Sequence, residues 1–249
     1  MKHPYHNLLS RIAFCVERNG FAEVFLIPFR MGISPLLIPL LPKREIPFDG
    51  RLYPYFYHRY NVTWANERAI EIPVARACLD GVHPGQILEI GNVLSHYGSS
   101  DHVVLDKFET GSGVVNEDIL TWEPRRKFEV IISISTFEHI GFDDEEKDGT
   151  GQKILSAIQR CREFLHPGGR LILTAAGGYN PAFDALVGGN RFGATRNHLY
   201  RRVTRGKWEP CDEAGYLSAR YNHPYAFGNA VVVAEFSALT ESEKFPRPV

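Results

Sequence analysis

Short β-rich runs alternate with polar and helical segments from Gln86 onward. Alternation of this kind predicts an α/β fold, in which helices and loops connect the strands of one sheet. A helix is expected over 151–165, where apolar residues recur at helical spacing, and His166-Pro167-Gly168-Gly169 should end it with a turn. Strands are expected at 86–90, 102–106, 113–116, 128–135, 170–175 and 229–236.

The first connections between these strands are short. Parallel neighbours are normally joined by a crossover of a dozen residues or more, yet only 91–101 joins the first two strands and 107–112 the next two. The helices that usually cover a parallel sheet must therefore be trimmed to a turn or absent there. We expect residues 1–84 to form a helical and aromatic extension that caps the sheet or contributes to a homodimer. Residues 85–249 would then form the main domain.

Charge and cysteine content exclude several classes of function. Lys and Arg total 28 against 29 Asp and Glu, so the net charge of −1 gives no footprint for nucleic acid or an acidic membrane surface. The cysteines lie far apart without a CxxC pair, which favours reduced thiols in a cytoplasmic protein over a disulfide framework or a zinc site. They are Cys15, Cys78, Cys161 and Cys211.

Residues 21–41 form an apolar stretch that is interrupted by Glu23, Arg30 and three prolines. A membrane-spanning helix needs about 20 apolar residues without such breaks, and no signal-peptide pattern opens the chain. We therefore expect no transmembrane segment, and we expect this stretch to pack against the domain. A patch that lies on a membrane surface is the alternative.

Polar residues stand at the carboxyl ends of the first three predicted strands, the edge at which open α/β sheets bind ligands. Gly91 lets the backbone approach a ligand closely, and Glu89 offers a carboxylate beside it. Asp106 ends the second strand, where an acid accepts ribose hydroxyls. Asp118 and Ile119 follow the third strand, and an acid next to an aliphatic side chain suits an adenine. The predicted cofactor site is completed by Asn92, Lys107 and Ser135.

The order of these motifs resembles that of the class I S-adenosylmethionine-dependent methyltransferases. The resemblance covers about residues 85–178 and extends in outline to the last strand. It implies a Rossmann-like sheet, S-adenosylmethionine as the cofactor and methyl transfer as the reaction. The motifs that carry it are Leu88-Glu89-Ile90-Gly91, Val104-Leu105-Asp106, Glu117-Asp118-Ile119, Phe128-Glu129-Val130-Ile131-Ile132-Ser133 and Leu165-His166-Pro167-Gly168-Gly169-Arg170-Leu171.

The first motif departs from the family pattern. Members usually carry two or three glycines there, whereas Asn92, Val93 and Leu94 follow Gly91 in this chain. Fewer glycines leave less room for the methionine part of the cofactor. A nicotinamide dinucleotide is a poorer alternative, because its site would need G-x-G-x-x-G.

Thr136-Phe137-Glu138-His139-Ile140 follows the fourth strand and should face the reacting methyl group. Methylation of a hydroxyl needs a base, and histidine suits this role because its usual pKa lies near working pH. We therefore expect His139 to be the base and Glu138 to orient its ring or contact the cofactor, with a purely structural Glu-His pair as the alternative. Glu138, Asp143 and Asp144 are the candidate ligands for Mg²⁺, and a solvated acidic loop is the alternative.

The candidate acceptor site combines residues ahead of the first strand with a loop after the fifth. The run Asn-x-Thr-Trp-x-Asn-Glu-Arg at 61–68 is similar to that of small bacterial saccharide O-methyltransferases, such as the mycobacterial enzymes that act on methylmannose polysaccharide. Core packing is the alternative for the aromatic residues. The basic stretch 191–207 predicts either a lid or a solvated charged hairpin. The substrate candidates are Tyr60, Asn66, Arg68, Tyr179 and Asn180.

Together these features predict an S-adenosylmethionine-dependent O-methyltransferase that acts on a hydroxyl of a small saccharide or glycan precursor, as in polysaccharide biosynthesis. Two alternatives remain at this point. One is methyl transfer to another small molecule, such as a natural-product phenol or an amine. The other is a non-catalytic module that binds the cofactor and acts through a partner.

Overall fold

The computed structural model describes residues 21–98, 101–143 and 149–240, together with Val16 and Glu243. The predictions for Cys15 and Asp144 lie outside these residues. The strands of the described chain are β1 (Glu45–Phe48), β2 (Arg51–Pro54), β3 (Ile87–Ile90), β4 (Val103–Leu105), β5 (Val114–Val115), β6 (Phe128–Ile134), β7 (Leu165–Ala176), β8 (Arg196–Thr204), β9 (Lys207–Pro210) and β10 (Ala230–Ser237). Its α-helices are α1 (Glu23–Leu37), α2 (Arg68–Leu79), α3 (Thr150–Glu163), α4 (Pro181–Val187) and α5 (Glu213–Leu217).

An eight-stranded sheet with the order β5-β4-β3-β6-β7-β10-β8-β9 forms the centre of the molecule. Strands β3 to β7 pair in parallel, and β10 runs antiparallel to both β7 and β8. The chain enters at β3, moves outward to β5 and returns on the other side of β3 as β6. The carboxyl ends of β3 and β6 therefore flank the point where the strand order reverses, which is where open α/β sheets bind ligands. The predicted α/β fold with a Rossmann-like sheet is confirmed.

The parallel strands could be predicted because they are buried on both faces. All four residues of β3 are buried, and β6 is buried except at Glu129, so both strands read as nearly continuous apolar runs. The fifth predicted strand begins earlier than expected, at Leu165 instead of residue 170. The predicted turn at 166–169 is an irregular first part of β7, where the pairing register shifts and Gly168 has a φ of +80°.

The basic stretch 191–207 forms a hairpin and not a lid. Its first strand, β8, joins the sheet beside β10 and pairs with β9. Tyr200 and Arg202 are buried, whereas Arg201 and Arg205 are exposed. The alternation of buried and exposed positions does not appear as an alternation of apolar and polar residues, because one of the buried residues is an arginine. The sequence therefore did not predict these two strands.

Different parts of the chain cover the two faces of the sheet. Helices α3, α4 and α5 pack on one face, where Ile158 and Phe183 join the cluster around Leu88. Helix α2 and the β1–β2 hairpin pack on the other face. Among the described residues the β3–β4 connection contains only a 3-10 turn, Leu94–Tyr97, and residues 106–113 contain no helix. The N-terminal part of the chain thus occupies the place of the trimmed helices.

Helix α1 runs through Pro28 and Pro35 and continues as a 3-10 turn to Leu40, so the prolines do not interrupt it. Its polar residues face the protein, since Glu23 and Ser34 are buried. Its largest apolar residues are exposed, which reverses the expectation that they pack against the domain. In the described part of the chain, Glu23–Leu40 is the one helix whose length and composition would allow it to cross a membrane.

Candidate functional site

A cavity of about 250 Å³ lies at the carboxyl ends of β3, β4, β5 and β6. The structure brings most of the predicted site residues into its wall, although they come from distant parts of the chain. These residues are Tyr60, Arg68, Gly91, Asn92, Asp106, Lys107, Asp118, Ile119, Ser135, His139 and Asp143. The predicted residues that do not line this cavity are Glu89, Glu138, Asn66, Tyr179 and Asn180.

Gly91 allows the end of β3 to approach the end of β6. Its φ is +86°, and a Cβ atom at this position would lie 2.2 Å from the Thr136 hydroxyl oxygen. The Gly91 N–H donates to the Leu105 carbonyl at 2.8 Å, which joins the turn to β4. Only glycine fits this position, because both the backbone conformation and the space exclude a side chain.

Glu89 supports the turn from behind and does not reach the cavity. Its Oε1 accepts the N–H groups of Val93 at 2.9 Å and Leu94 at 2.8 Å, and its Oε2 lies 2.7 Å from His102 Nε2. The side chain is fully buried. A buried carboxylate therefore fixes the backbone of 92–94, the segment in which further glycines were missing.

Asp106 ties the turn after β3 to the turn after β4. Its Oδ2 accepts the Asn92 N–H at 3.0 Å, and its Oδ1 accepts the N–H groups of Phe108 at 2.8 Å and Glu109 at 2.7 Å. A carboxylate offers about four acceptor positions, so Oδ2 retains capacity for a ligand hydroxyl. The Glu109 carboxylate also lines the cavity and accepts from Asn92 Nδ2 at 2.7 Å. Sequence reasoning missed Glu109, although its place three residues after Asp106 in a short connection was a usable signal.

Asp118 and its neighbours form a wall that is half polar and half apolar. Asp118 Oδ2 lies 3.0 Å from Lys107 Nζ, and its Oδ1 accepts the Leu120 N–H at 2.9 Å. Ile119 and Ile140 supply apolar surface to the same cavity. A planar ring with an amino group would find both a flat apolar contact and a carboxylate here.

Arg68 brings a cation from α2 into the cavity wall. Its Nη1 donates to Glu71 Oε2 at 3.2 Å. Glu71 is fully buried, and its Oε1 accepts from the hydroxyls of Ser135 at 2.8 Å and Thr174 at 2.7 Å. Burial by itself would lower the pKa of Arg68, but Glu71 together with Tyr97, Glu67 and Glu138 more than offsets this, so the pKa lies above its usual value. The sequence signal for Glu71 was an acid within an otherwise apolar helix face.

His139 is oriented by Asp143 and not by Glu138. Its Nδ1 lies 2.5 Å from Asp143 Oδ2, and the Tyr179 hydroxyl donates to the same oxygen at 2.7 Å. The ring of Tyr179 packs edge-on against His139, with the ring centres 4.7 Å apart. When Nδ1–H donates to Asp143, Nε2 carries the lone pair, as a general base requires. The i, i+4 spacing of His139 and Asp143 was the available signal for this pair.

Glu138 turns away from the cavity into the protein. Its Oε1 accepts the Ala176 N–H at 3.2 Å, and its Oε2 has no hydrogen-bond partner among the described residues. Burial raises the pKa of Glu138 to about 7, while His139 lowers it and Glu71 raises it further. Glu138 therefore does not orient the histidine ring as predicted, and Asp143 is the residue that contacts it.

Two predicted substrate residues serve the backbone instead. Asn180 is buried, caps α4 through its Oδ1 and donates to the Glu138 carbonyl at 2.8 Å. Asn66 is also buried, donates to the Asn61 carbonyl at 2.8 Å and accepts the Arg68 N–H. A buried amide whose groups are occupied in this way contributes to positioning the cavity wall, through α4 in one case and the start of α2 in the other.

The residues that the structure describes fit S-adenosylmethionine but not the predicted metal. The Gly91 cradle, the carboxylates at the ends of β4 and β5 and the Arg68 cation correspond to the needs of a charged nucleoside. Of the predicted Mg²⁺ ligands, Glu138 and Asp143 bind different partners. Within the described ranges, no group of three or more His, Cys, Asp or Glu side chains is arranged to hold a metal ion.

Comparison with known proteins gives structural likeness only. No family model matches the chain, and no curated protein matches its sequence. The N-methyltransferase NodS from Bradyrhizobium japonicum, solved with S-adenosylhomocysteine, is 14% identical over 70% of this chain and 88% of its own, with a TM-score of 0.40. TehB from Haemophilus influenzae is 12% identical over 73% of this chain and 65% of its own, with a TM-score of 0.43. The sugar N-methyltransferase KedS8 from Streptoalloteichus is 12% identical over 68% of this chain and 87% of its own, with a TM-score of 0.35. Likeness at this level does not assign a function.

Proposed function

We propose that the chain is an S-adenosylmethionine-dependent methyltransferase whose acceptor is a hydroxyl group of a small saccharide or glycan precursor. One observation carries the proposal. The His139–Asp143 pair and the nucleoside-binding residues at the ends of β3, β4 and β5 line the same cavity. Chemistry and cofactor binding therefore have a common site.

Four residues would hold the cofactor. Asp106, assisted by Glu109, would accept hydrogen bonds from the hydroxyl groups of the ribose. Asp118 would accept a hydrogen bond from the amino group of the adenine. Arg68 neutralises the methionine carboxylate, for which its guanidinium is suited by charge and by its forked geometry. When bound, S-adenosylmethionine supplies an electrophilic methyl group next to a positively charged sulfur.

His139 then accepts the proton of the acceptor hydroxyl at Nε2, while Asp143 holds the ring and stabilises the imidazolium that forms. Most of the acceleration comes from holding donor and acceptor in line. Tyr60 stacks on His96 at the cavity wall, with ring centres 4.7 Å apart, and presents an aromatic surface of the kind on which sugar rings pack. The cytoplasmic location stays a prediction, and the proposed reaction includes no metal.

Titration calorimetry with S-adenosylhomocysteine tests the cofactor site. We expect micromolar binding, about −8 kcal/mol, to the wild type and to Asp80→Asn, a control at an exposed position outside the cavity. Asp106→Asn should weaken binding at least tenfold, because Asp106 both holds the turn and faces the ligand. Absence of binding to a folded wild type would contradict the proposal.

Transfer of a labelled methyl group to a panel of saccharides, phenols and amines tests the reaction. We expect saccharide methylation that falls by about 10² or more in His139→Ala, with S-adenosylhomocysteine binding unchanged. His166→Ala, an exposed histidine outside the cavity, is the control. Methylation of phenols or amines alone would overturn the saccharide assignment, and tight binding without any transfer would favour the non-catalytic module.

A further inference from the structure

One side of α1 and of the turn that follows it exposes a continuous row of large apolar side chains, which we call the outer face. Phe25 is 63% exposed, Phe29 62%, Leu36 75% and Leu40 80%. Phe21 precedes them and contacts Phe25 edge-on, with ring centres 5.5 Å apart. Because these residues recur mostly every four positions, and after one seven-residue step, they lie on a single side of the helix.

A surface helix usually turns its apolar side to the protein and its polar side to water, and α1 does the opposite. Arg30 donates to Glu23 at 2.7 and 3.2 Å, and both side chains are largely shielded. Ser34 is fully buried, donates to the Arg30 carbonyl at 2.6 Å and accepts from Trp64 Nε1 at 2.7 Å. The hydrogen bond to Trp64 fixes which side of the helix meets the protein. The outward direction of the apolar side is therefore set by the fold.

We propose that the outer face docks onto the surface of a lipid bilayer, with α1 lying in the plane of the membrane. Helices of this kind bury one apolar side at the boundary between headgroups and acyl chains. The other side of α1 is held against the protein by the hydrogen bond between Ser34 and Trp64, and its Glu23–Arg30 pair is largely shielded there, so only the outer face can enter lipid. Lys43 and Arg44 follow Leu41 after Pro42, where basic groups can meet lipid phosphates.

A second copy of this chain is the other candidate occupant, and the composition of the outer face argues against it. Protein interfaces surround an apolar centre with polar groups and form about one hydrogen bond per 100–200 Å². The outer face presents phenylalanine and leucine side chains, while Glu23, Arg30 and Ser34 make their hydrogen bonds within the chain. A bilayer needs no such bonds from the surface that enters it.

The docked helix would lie beside the cavity. The turn Tyr60–Ala65 carries Trp64, which contacts α1, and it also supplies Tyr60 and Asn61 to the cavity wall. One short segment therefore links the membrane-facing helix to the proposed active site. The docking itself is independent of which reaction the site performs.

Vesicle flotation of the full chain tests the proposal. The probe is large unilamellar vesicles of phosphatidylcholine with one fifth phosphatidylglycerol, at low and at high salt. We expect the wild type to float at both salt concentrations, because apolar contacts carry the binding, and the Phe25→Ser/Phe29→Ser variant to bind at least tenfold more weakly. Val203→Ser and Leu217→Ser alter apolar residues that are 42% and 44% exposed elsewhere, and they should float like the wild type.

Thermal unfolding without vesicles shows whether the double variant is folded, since its two positions are exposed and should tolerate serine. Three results would overturn the proposal. The first is a wild type that does not bind the vesicles. If that protein is a dimer and the double variant is a monomer, the outer face is an interface between two copies of the chain. The second is equal flotation of the wild type and the double variant. The third is complete release at high salt, which would make charge and not the outer face responsible.

Discussion

Gly91 and Glu138 are two residues that their surroundings constrain strongly. Gly91 must lack a side chain, and Glu138 carries a carboxyl group that is buried in the protein. At Gly91 the cost of a side chain can be divided into two parts, because the chain contains a second glycine with almost the same φ. Gly113 has a φ of +84° with nothing within 4 Å of its added Cβ, whereas at Gly91 that atom would meet Thr136.

Gly91→Ala should therefore lower the free energy of unfolding by about 3 kcal/mol, and Gly113→Ala by about 1 kcal/mol. The second value reports the left-handed backbone alone, and the difference reports the clash with Thr136. Urea unfolding at constant m-value measures both. Equal losses in the two variants would show that Thr136 moves aside without cost.

Glu138 predicts a pH dependence. Its pKa rises from 4.5 to about 7 on folding because the group is buried, so the folded state binds more protons than the unfolded state between these values. Stability from this group is fully present below pH 4.5 and is lost as pH rises through 7, by about 3 kcal/mol.

Glu138→Gln should therefore unfold at higher urea concentration than the wild type at pH 8 and at the same concentration near pH 4. Burial also raises the pKa of Asp184, to about 6, and this group titrates in both proteins. The difference between their curves of unfolding free energy against pH therefore reports Glu138. Parallel curves across this pH range would mean that Glu138 is not buried as a carboxyl group.

At the scale of elements, burial on one or both faces decided what could be predicted from the sequence. Strands β3 and β6 are buried almost throughout and were predictable as apolar runs. Strand β8 has only two buried residues, one of them an arginine, and was missed. Residues at strand ends, such as Asp106, follow from topology. The role of Glu71 depends on a helix packing across the sheet, and no local pattern indicates this.

Arg202 attaches β8 to the rest of the molecule. Its guanidinium donates to the carbonyls of Ala65, Arg205 and Ala226, and burial lowers its pKa to about 10, although the Glu67 carboxylate opposes this. Removal of the side chain would leave these three carbonyl groups without their donor, and it would remove a cation whose charge interacts with the buried Glu67 carboxylate.

Arg202→Leu should accordingly lower the free energy of unfolding by about 3–5 kcal/mol. Arg201→Leu, at the exposed neighbouring position, should change it by less than about 0.5 kcal/mol. Denaturant unfolding compares the two variants. A small loss in Arg202→Leu would imply that water replaces the guanidinium.

For the whole molecule, the boundary that the sequence suggested at residue 84 crosses the candidate site. Arg68 lines the cavity, and Glu71 bonds Ser135 and Thr174 from the other side of that boundary. A ligand in the cavity therefore contacts and stabilises residues on both sides of this boundary.

S-adenosylhomocysteine at 100 times its Kd should raise the free energy of unfolding by about 2.7 kcal/mol. Hydrogen exchange should slow in α2 as well as at the ends of β3 and β6. Asp106→Asn, at the same ligand concentration, is the control and should show both effects reduced, with a gain of at most about 1.4 kcal/mol if its Kd is ten or more times higher. Protection confined to residues beyond 84 would contradict a shared site.

The bonds of Glu71 also bear on the order in which the chain can fold during synthesis. Its two hydroxyl partners lie 64 and 103 residues further along the chain. Helix α2 therefore leaves the ribosome long before the strands that cover it exist. At ordinary translation rates that interval is about 5–20 s. During it the buried side of α2, with Ile70, Ile72 and Val74, has no sheet to pack on. Until β6 and β7 are made, this exposed apolar side makes the nascent chain prone to aggregation.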